Sequence, residues 1–284
     1  MCVIVAKFFP GIGWAGAKNR DRKYMPTLDF IEDTVNGVSR MMMHDQVTGY
    51  KEGINSHGVS ILNTSLDVLE DEPGVESGKV KASPDGKAIA EALLESNPLV
   101  AIKVLINRKV VGCTIVFDKD TLYLMEASDQ DGTSSFKYKA KKIPPNETVA
   151  RTNHGILLPW AGYQLNVDPQ QTKSRESSES RLKYAQQALE QSKTPIELLD
   201  LLAITPESNT QMNPLRTTTE SKKMRTTAQE MIIPYEQTFF LRPIQSKLDI
   251  DFWKINQTMP SDCRSDRSIT MCLAACAVIL LRLN

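Results

Sequence analysis

Short apolar blocks, separated by turn residues, dominate the first part of the chain. Residues 2 to 9, CVIVAKFF, are β-branched and aromatic and predict a buried strand that Pro10-Gly11 ends. Trp14 to Lys18 predicts a return strand after a tight turn, which would bring Lys18, Asn19 and Asp21 back beside Cys2 in an antiparallel pair. Val38 to Met43, Thr48 to Ile54 and Val59 to Thr64 predict further strands, the last two joined by the turn Asn55-Ser56-His57-Gly58. Residues 67 to 83 are acidic, carry Gly and Pro and show no period, so they read as a surface loop.

The period then changes. Ser83-Pro84-Asp85 is a helix start, with Ala88, Ile89, Ala92 and Leu93 as its apolar face, and a second helix runs from Leu99 to Asn107. Val110 to Phe117 and Thr121 to Ala127 predict a hairpin, continued by a strand from Ser134 to Lys141. Lys173 to Gln191 and Pro195 to Ala203 read as helices, the second capped by Thr194, and Thr205 to Glu220 as a polar loop. Thr226 to Ile233 and Gln237 to Arg242 close the pattern as a hairpin around Pro234-Tyr235. Two groups of strands separated by two groups of helices predict one layered α+β domain over residues 2 to 256. Residues 257 to 284 differ in kind: polar at first, then nearly all apolar from Ile269 to Leu281, too short to span a bilayer and read as an appendage with a buried or interfacial helix that could dock on a second subunit.

Composition narrows the function classes. Lys plus Arg equals Asp plus Glu at 34 each, so no global field points to nucleic acid or to a polycation, and a small molecule is the expected partner. Five scattered cysteines without CxxC spacing fit neither a disulfide framework nor a zinc site, and with three histidines no metal or other cofactor is expected. Lys7 and Pro10 interrupt the first apolar run, so it does not read as a signal peptide, and the expected compartment is cytoplasmic.

The chemistry concentrates in Met1-Cys2. Methionine aminopeptidases remove Met1 before a small residue, which would leave Cys2 with both a thiol and a free α-amine. With reference pKa values of about 8.5 and about 7.7 to 8.0, the amine can take the thiol proton near neutrality without a histidine. A cysteine leading an apolar strand can equally be plain core, and the dipeptide alone does not decide between the two.

Five short motifs follow in order: Lys18-Asn19-Arg20-Asp21; Asn55-Ser56-His57-Gly58 with Leu62-Asn63-Thr64; Gly112 to Asp118 with Glu126; Arg151-Thr152-Asn153-His154; and Ser177-Ser178-Glu179-Ser180-Arg181. Together with Cys2 they resemble the N-terminal-nucleophile amide hydrolases of the choloylglycine hydrolase and penicillin V acylase kind, and the related acyl-coenzyme A:6-aminopenicillanic acid acyltransferase-like group. The resemblance implies an αββα sandwich, two packed antiparallel sheets covered by helices. It implies hydrolysis of a carbon–nitrogen amide bond in a small N-acyl compound through a thioester on Cys2, with acyl transfer or non-catalytic ligand binding as the alternatives on the same scaffold. In that reading Asp21 holds the α-amine, Asn63 and Asn153 face the oxyanion, and Arg181 is the distal arginine. Lys18 stands where the family has arginine, keeping the charge but not the planar fork, so either Lys18 or Arg20 would supply the cation beside the thiol.

Overall fold

The computed structural model describes residues 2–66, 84–129, 135–217, 224–244 and 253–254. The loop expected over 67 to 83, the residue Ser134 and the appendage 257 to 284 with its apolar helix lie outside the described residues.

Thirteen strands and four α-helices among the described residues form two antiparallel sheets between two helical layers. In the first sheet the order is β10 (Val149–Arg151), β1 (Val3–Phe9), β2 (Gly13–Arg22), β11 (Arg225–Ile233), β12 (Thr238–Pro243) and β13 (Trp253–Lys254). In the second, seven strands lie in chain order from β3 (Leu28–Val35), β4 (Val38–Asp45), β5 (Tyr50–Asn55) and β6 (Ser60–Thr64) to β7 (Gly112–Phe117), β8 (Leu122–Ser128) and β9 (Lys137–Ile143). Helices α1 (Pro84–Ala92) and α2 (Pro98–Asn107) cover the second sheet, while α3 (Pro169–Gln191) and α4 (Pro195–Leu201) cover the first. This is the expected αββα sandwich.

The period-two pattern of β1 explains the layering. Val3, Val5 and Phe9 bury against Ala185, Ala188, Leu189 and Leu198 of the helices. Ile4 and Ala6 face the other way, into a core shared with Ile61, Leu62, Ile115 and Phe117 of the second sheet. At Gly16 the sheets leave no room for a side chain: a Cβ there would lie 2.6 Å from the Phe117 ring.

The sequence reading misses β3 and starts α3 late. The hairpin β3–β4 turns at Asn36-Gly37, both with positive φ (52° and 79°), which is the pair a two-residue turn of this hand requires. Helix α3 begins four residues before the expected Lys173, because Asp168 caps it by accepting from the Gln170 and Gln171 amides and Pro169 takes the first position.

Candidate active site

The β1–β2 hairpin pairs Val3 with Asn19 and Ile4 with Lys18, so the return strand does carry the Lys18-to-Asp21 tetrapeptide past Cys2. Strand parity then divides β2 into two chemistries. Lys18, Arg20 and Arg22 face the second sheet, whereas Asn19 and Asp21 face the helices.

On the helical side, Asp21 accepts from Thr226 Oγ1 at 2.8 Å and lies 3.7 Å from Arg181 and 3.5 Å from Arg216, all buried. A β-bulge at Thr227 puts Thr226 on the face of Asp21 while Lys18 stays opposite Glu230. Arg181 reaches across to the Cys2 carbonyl (Nη1, 3.3 Å) and to Asn153 Oδ1 (Nη2, 3.0 Å). Thr64 Oγ1 donates to the same Cys2 carbonyl at 3.4 Å.

Asn153 is fixed on every side. Ser178 Oγ accepts from its backbone amide at 2.9 Å, its Nδ2 donates to Ser65 O (2.7 Å) and Thr64 Oγ1 (3.2 Å), and its carbonyl accepts from Tyr163. Gly162, at φ +75°, leaves room for that carbonyl; a Cβ would sit 2.4 Å from it. The loop after Asn153 is held by Glu126, whose Oε2 accepts from the amides of Ile156, Leu157 and Leu158 at 2.7 to 3.0 Å while Oε1 takes Arg151 at 2.8 Å. A carboxylate with that many donors is a strong internal clasp.

Cys2, Asp21, Asn153 and Arg181 are therefore brought together. Asn63 is not: its Nδ2 donates to Val111 O and Thr114 Oγ1, because alternation along β6 turns Asn63 away and gives Thr64 to the site. His154 bonds Ser178 Oγ through Nδ1, and burial, with Arg175 next, lowers its pKa to about 4, so it is a neutral packing residue at pH 7.

On the sheet side, Arg22 Nη1 lies 3.4 Å from the Cys2 Sγ. Arg22 was not among the expected residues, yet it shares the parity of Lys18 and Arg20, and that alternation was its only sequence signal. Arg20 is occupied by Asp45 (2.9 Å), and Lys18 is ion-paired with Glu52. The Tyr50 ring lies 5.1 to 5.9 Å from these three cations. Burial alone would raise the thiol pKa; Lys18, the chain's N-terminal ammonium and Arg22 outweigh it against Asp21, and the value falls from 9.0 to about 6. The cation beside the thiol is thus shared: Lys18 has the larger field and Arg22 the contact. Replacing Arg22 by Leu should move the midpoint of Cys2 alkylation upward by about one pH unit, as read from the pH dependence of iodoacetamide labelling of the N-terminal peptide.

Among the described residues no group of His, Cys, Asp and Glu is placed to hold a metal ion, and no helix is long and apolar enough to cross a membrane.

No protein-family model matches the sequence, and no curated protein matches it. Among solved structures, penicillin V acylase from Agrobacterium tumefaciens superposes with a TM-score of 0.51, at 13% identity, over 90% of this chain and 86% of that one. The chain has the fold of penicillin V acylase. A mutant of conjugated bile acid hydrolase from Clostridium perfringens aligns at a TM-score of 0.48, with 12% identity over 92% of this chain and 99% of that one.

Proposed function

We propose that the protein hydrolyses the amide bond of a small N-acyl compound, with Cys2 as an N-terminal nucleophile freed by removal of Met1. The observation that carries this reading is the thiol at the head of β1, its pKa lowered to about 6 with Arg22 on its sulfur, beside a buried Asn153–Arg181–Asp21 cluster. A thiol of this acidity is mostly thiolate at pH 7, the form that attacks carbonyls.

The steps balance with these groups alone. Sγ adds to the acyl carbonyl, and the electron pair of the C=O moves to oxygen. The oxyanion is received by Asn153 Nδ2, which gives up its 3.2 Å bond to Thr64 Oγ1 for it, in a field made positive by Arg181 and Arg216 beside the carboxylate of Asp21. Burial first, then the neighbouring Arg216, lowers the pKa of Arg181 to about 9 against the pull of Asp21 and Cys2. As the C–N bond breaks, the α-ammonium of Cys2 gives its proton to the departing amine, leaving a thioester on Sγ. The α-amine then takes a proton from water, the resulting hydroxide equivalent adds to the thioester, and the acid and the thiolate separate. Asp21 holds the α-ammonium in this scheme.

A panel of N-acyl amides, including penicillin V and conjugated bile acids, incubated with the full chain tests the reading. Amine release that the Cys2→Ala variant does not give is expected; equal release from both proteins would contradict it.

A further inference from the structure

The layer between the sheets holds more acid than the thiol chemistry uses. Glu230 on β11 is fully buried and is the register partner of Lys18, and Glu52 on β5 lies across from the same lysine. Lys18 and Arg20 on β2 and Glu52 on β5 act on Glu230, and Arg22 on β2, Tyr50 on β5, Asp45 on β4, Tyr24 in the β2–β3 connection and Cys2 before β1 continue the same polar layer; the residue opposite Glu230 on β12 is Leu241, which carries no charge. Lys18 is ion-paired with Glu52, Arg20 with Asp45 at 2.9 Å and more distantly with Glu52 at 3.7 Å, and Arg22 holds the Cys2 sulfur at 3.4 Å. No N–H or O–H donor among the described residues reaches either oxygen of Glu230, whose carboxyl meets that of Glu52.

Two buried carboxyls, Glu52 and Glu230, meet at Lys18, and the ion pairs of Lys18 and Arg20 go to Glu52. A buried carboxylate without a donor is costly, so Glu230 is the acid that keeps its proton. Asp45 and Glu52 have cations bonded to them, and Cys2 has Arg22; Glu230 has no such partner.

We infer that Glu230 is a positioning residue that keeps its proton beside Glu52, leaving the cations of β2 to the thiol of Cys2. Glu230 touches no reacting atom; it acts by letting Lys18 and Arg22 spend their field on the thiol. This rests on the thiolate in the proposed function but not on which amide is cleaved. The acidities agree in direction: burial first, then the adjacent Glu52, pushes the Glu230 carboxyl up to about 8 against the pull of Lys18 and Arg20. The same pair of shifts makes a stability signature. The thiol, lowered from 9.0 to about 6, adds stability as pH rises from 6 toward 9, whereas Glu230, raised from 4.5 to about 8, loses stability as pH rises from 4.5 toward 8. Between pH 6 and 8 the two slopes oppose each other in the wild type, and only the rising one survives in Glu230→Gln.

The test is made on the full chain, without substrate. Infrared spectra of the wild type at pH 7 should contain the carbonyl stretch of one protonated carboxylic acid, lost on titration near pH 8 and absent from Glu230→Gln, while Glu230→Asp restores it. Iodoacetamide labelling of the Cys2 peptide should keep its midpoint near pH 6 in Glu230→Gln, since glutamine mimics the neutral acid. The thermal midpoint of Glu230→Gln should rise from pH 6 to 8 relative to the wild type. Absence of the acid band in the wild type at pH 7 would overturn the inference without any variant. So would a tenfold or larger increase in the thiol acidity of Glu230→Gln, which would mean that an ionised Glu230 had been removed. Amide hydrolysis plays no part in these readouts, so failure to find a substrate leaves them intact.

Discussion

Alanine in place of Cys2 is expected to lower amide hydrolysis by about 10⁴-fold or more, the loss that follows when a covalent nucleophile is removed and only binding and the oxyanion site remain. The fold should survive, because the deleted atom is one sulfur at the end of β1 and the strand's register is set by Val3 to Phe9 against β2. Serine at position 2 should lose nearly as much. It keeps the size and an oxygen for Arg22 to bond, but a hydroxyl does not ionise near neutrality, so the field of Lys18 and Arg22 has no anion to stabilise. A serine variant with substantial activity would show that the thiolate is not the attacking species. Progress curves on whichever N-acyl amide the wild type cleaves, with thermal midpoints alongside, make the measurement.

Asn153→Ala should cost about 10² to 10³ in kcat with a much smaller change in KM, because an oxyanion donor works in the transition state more than in the ground state. The substitution has a second effect that separates it from a simple deletion. Arg181 loses its Oδ1 acceptor at 3.0 Å while staying buried, and that orphaned donor should reduce stability by about 1 to 3 kcal/mol. Asn153→Asp distinguishes the two. It retains an acceptor for Arg181 and so should recover stability, but a carboxylate facing the oxyanion should leave kcat low. Steady-state kinetics combined with denaturant unfolding reads both quantities on the same samples.

Much of the architecture was legible because it rests on local rules. The apolar run CVIVAKFF, the Pro10-Gly11 break and the apolar helix faces report burial and turn geometry directly, and the structure has those elements within a few residues of the expected bounds. The start of α3 shifted because a cap, Asp168-Pro169, outweighed the apolar period that begins later. β10 is only three residues long, too short to carry a pattern, and is defined by its pairing with β1 rather than by its own composition.

The site was legible where a motif fixes one side chain and obscure where strand parity decides. Ser178 and Arg181 lie three residues apart on one helix, so the same turn ties Asn153 and reaches Cys2. Asn63 and Thr64 are neighbours on one strand, and nothing in the dipeptide says which of them faces Cys2; the packing of β6 between β5 and β7 chose Thr64. Arg22 had only strand parity as a signal, and Arg216, Glu52 and Glu230 had none. Pairing within one sheet brings Arg22 to the thiol and Glu230 to Lys18, the segment preceding β11 brings Arg216 to Asp21, and the other sheet brings Glu52 to Lys18.

The central claim is that Cys2, bearing its own α-amine, forms the bond to the acyl group. Intact mass and N-terminal peptide mapping after brief incubation with an activated N-acyl substrate, quenched in acid, test it most directly. The account predicts a chain lacking Met1 and carrying one acyl group on the Cys2 peptide, absent from Cys2→Ala. A chain that retains Met1 while turning over substrate, or an acyl group mapped to any other residue, would contradict it.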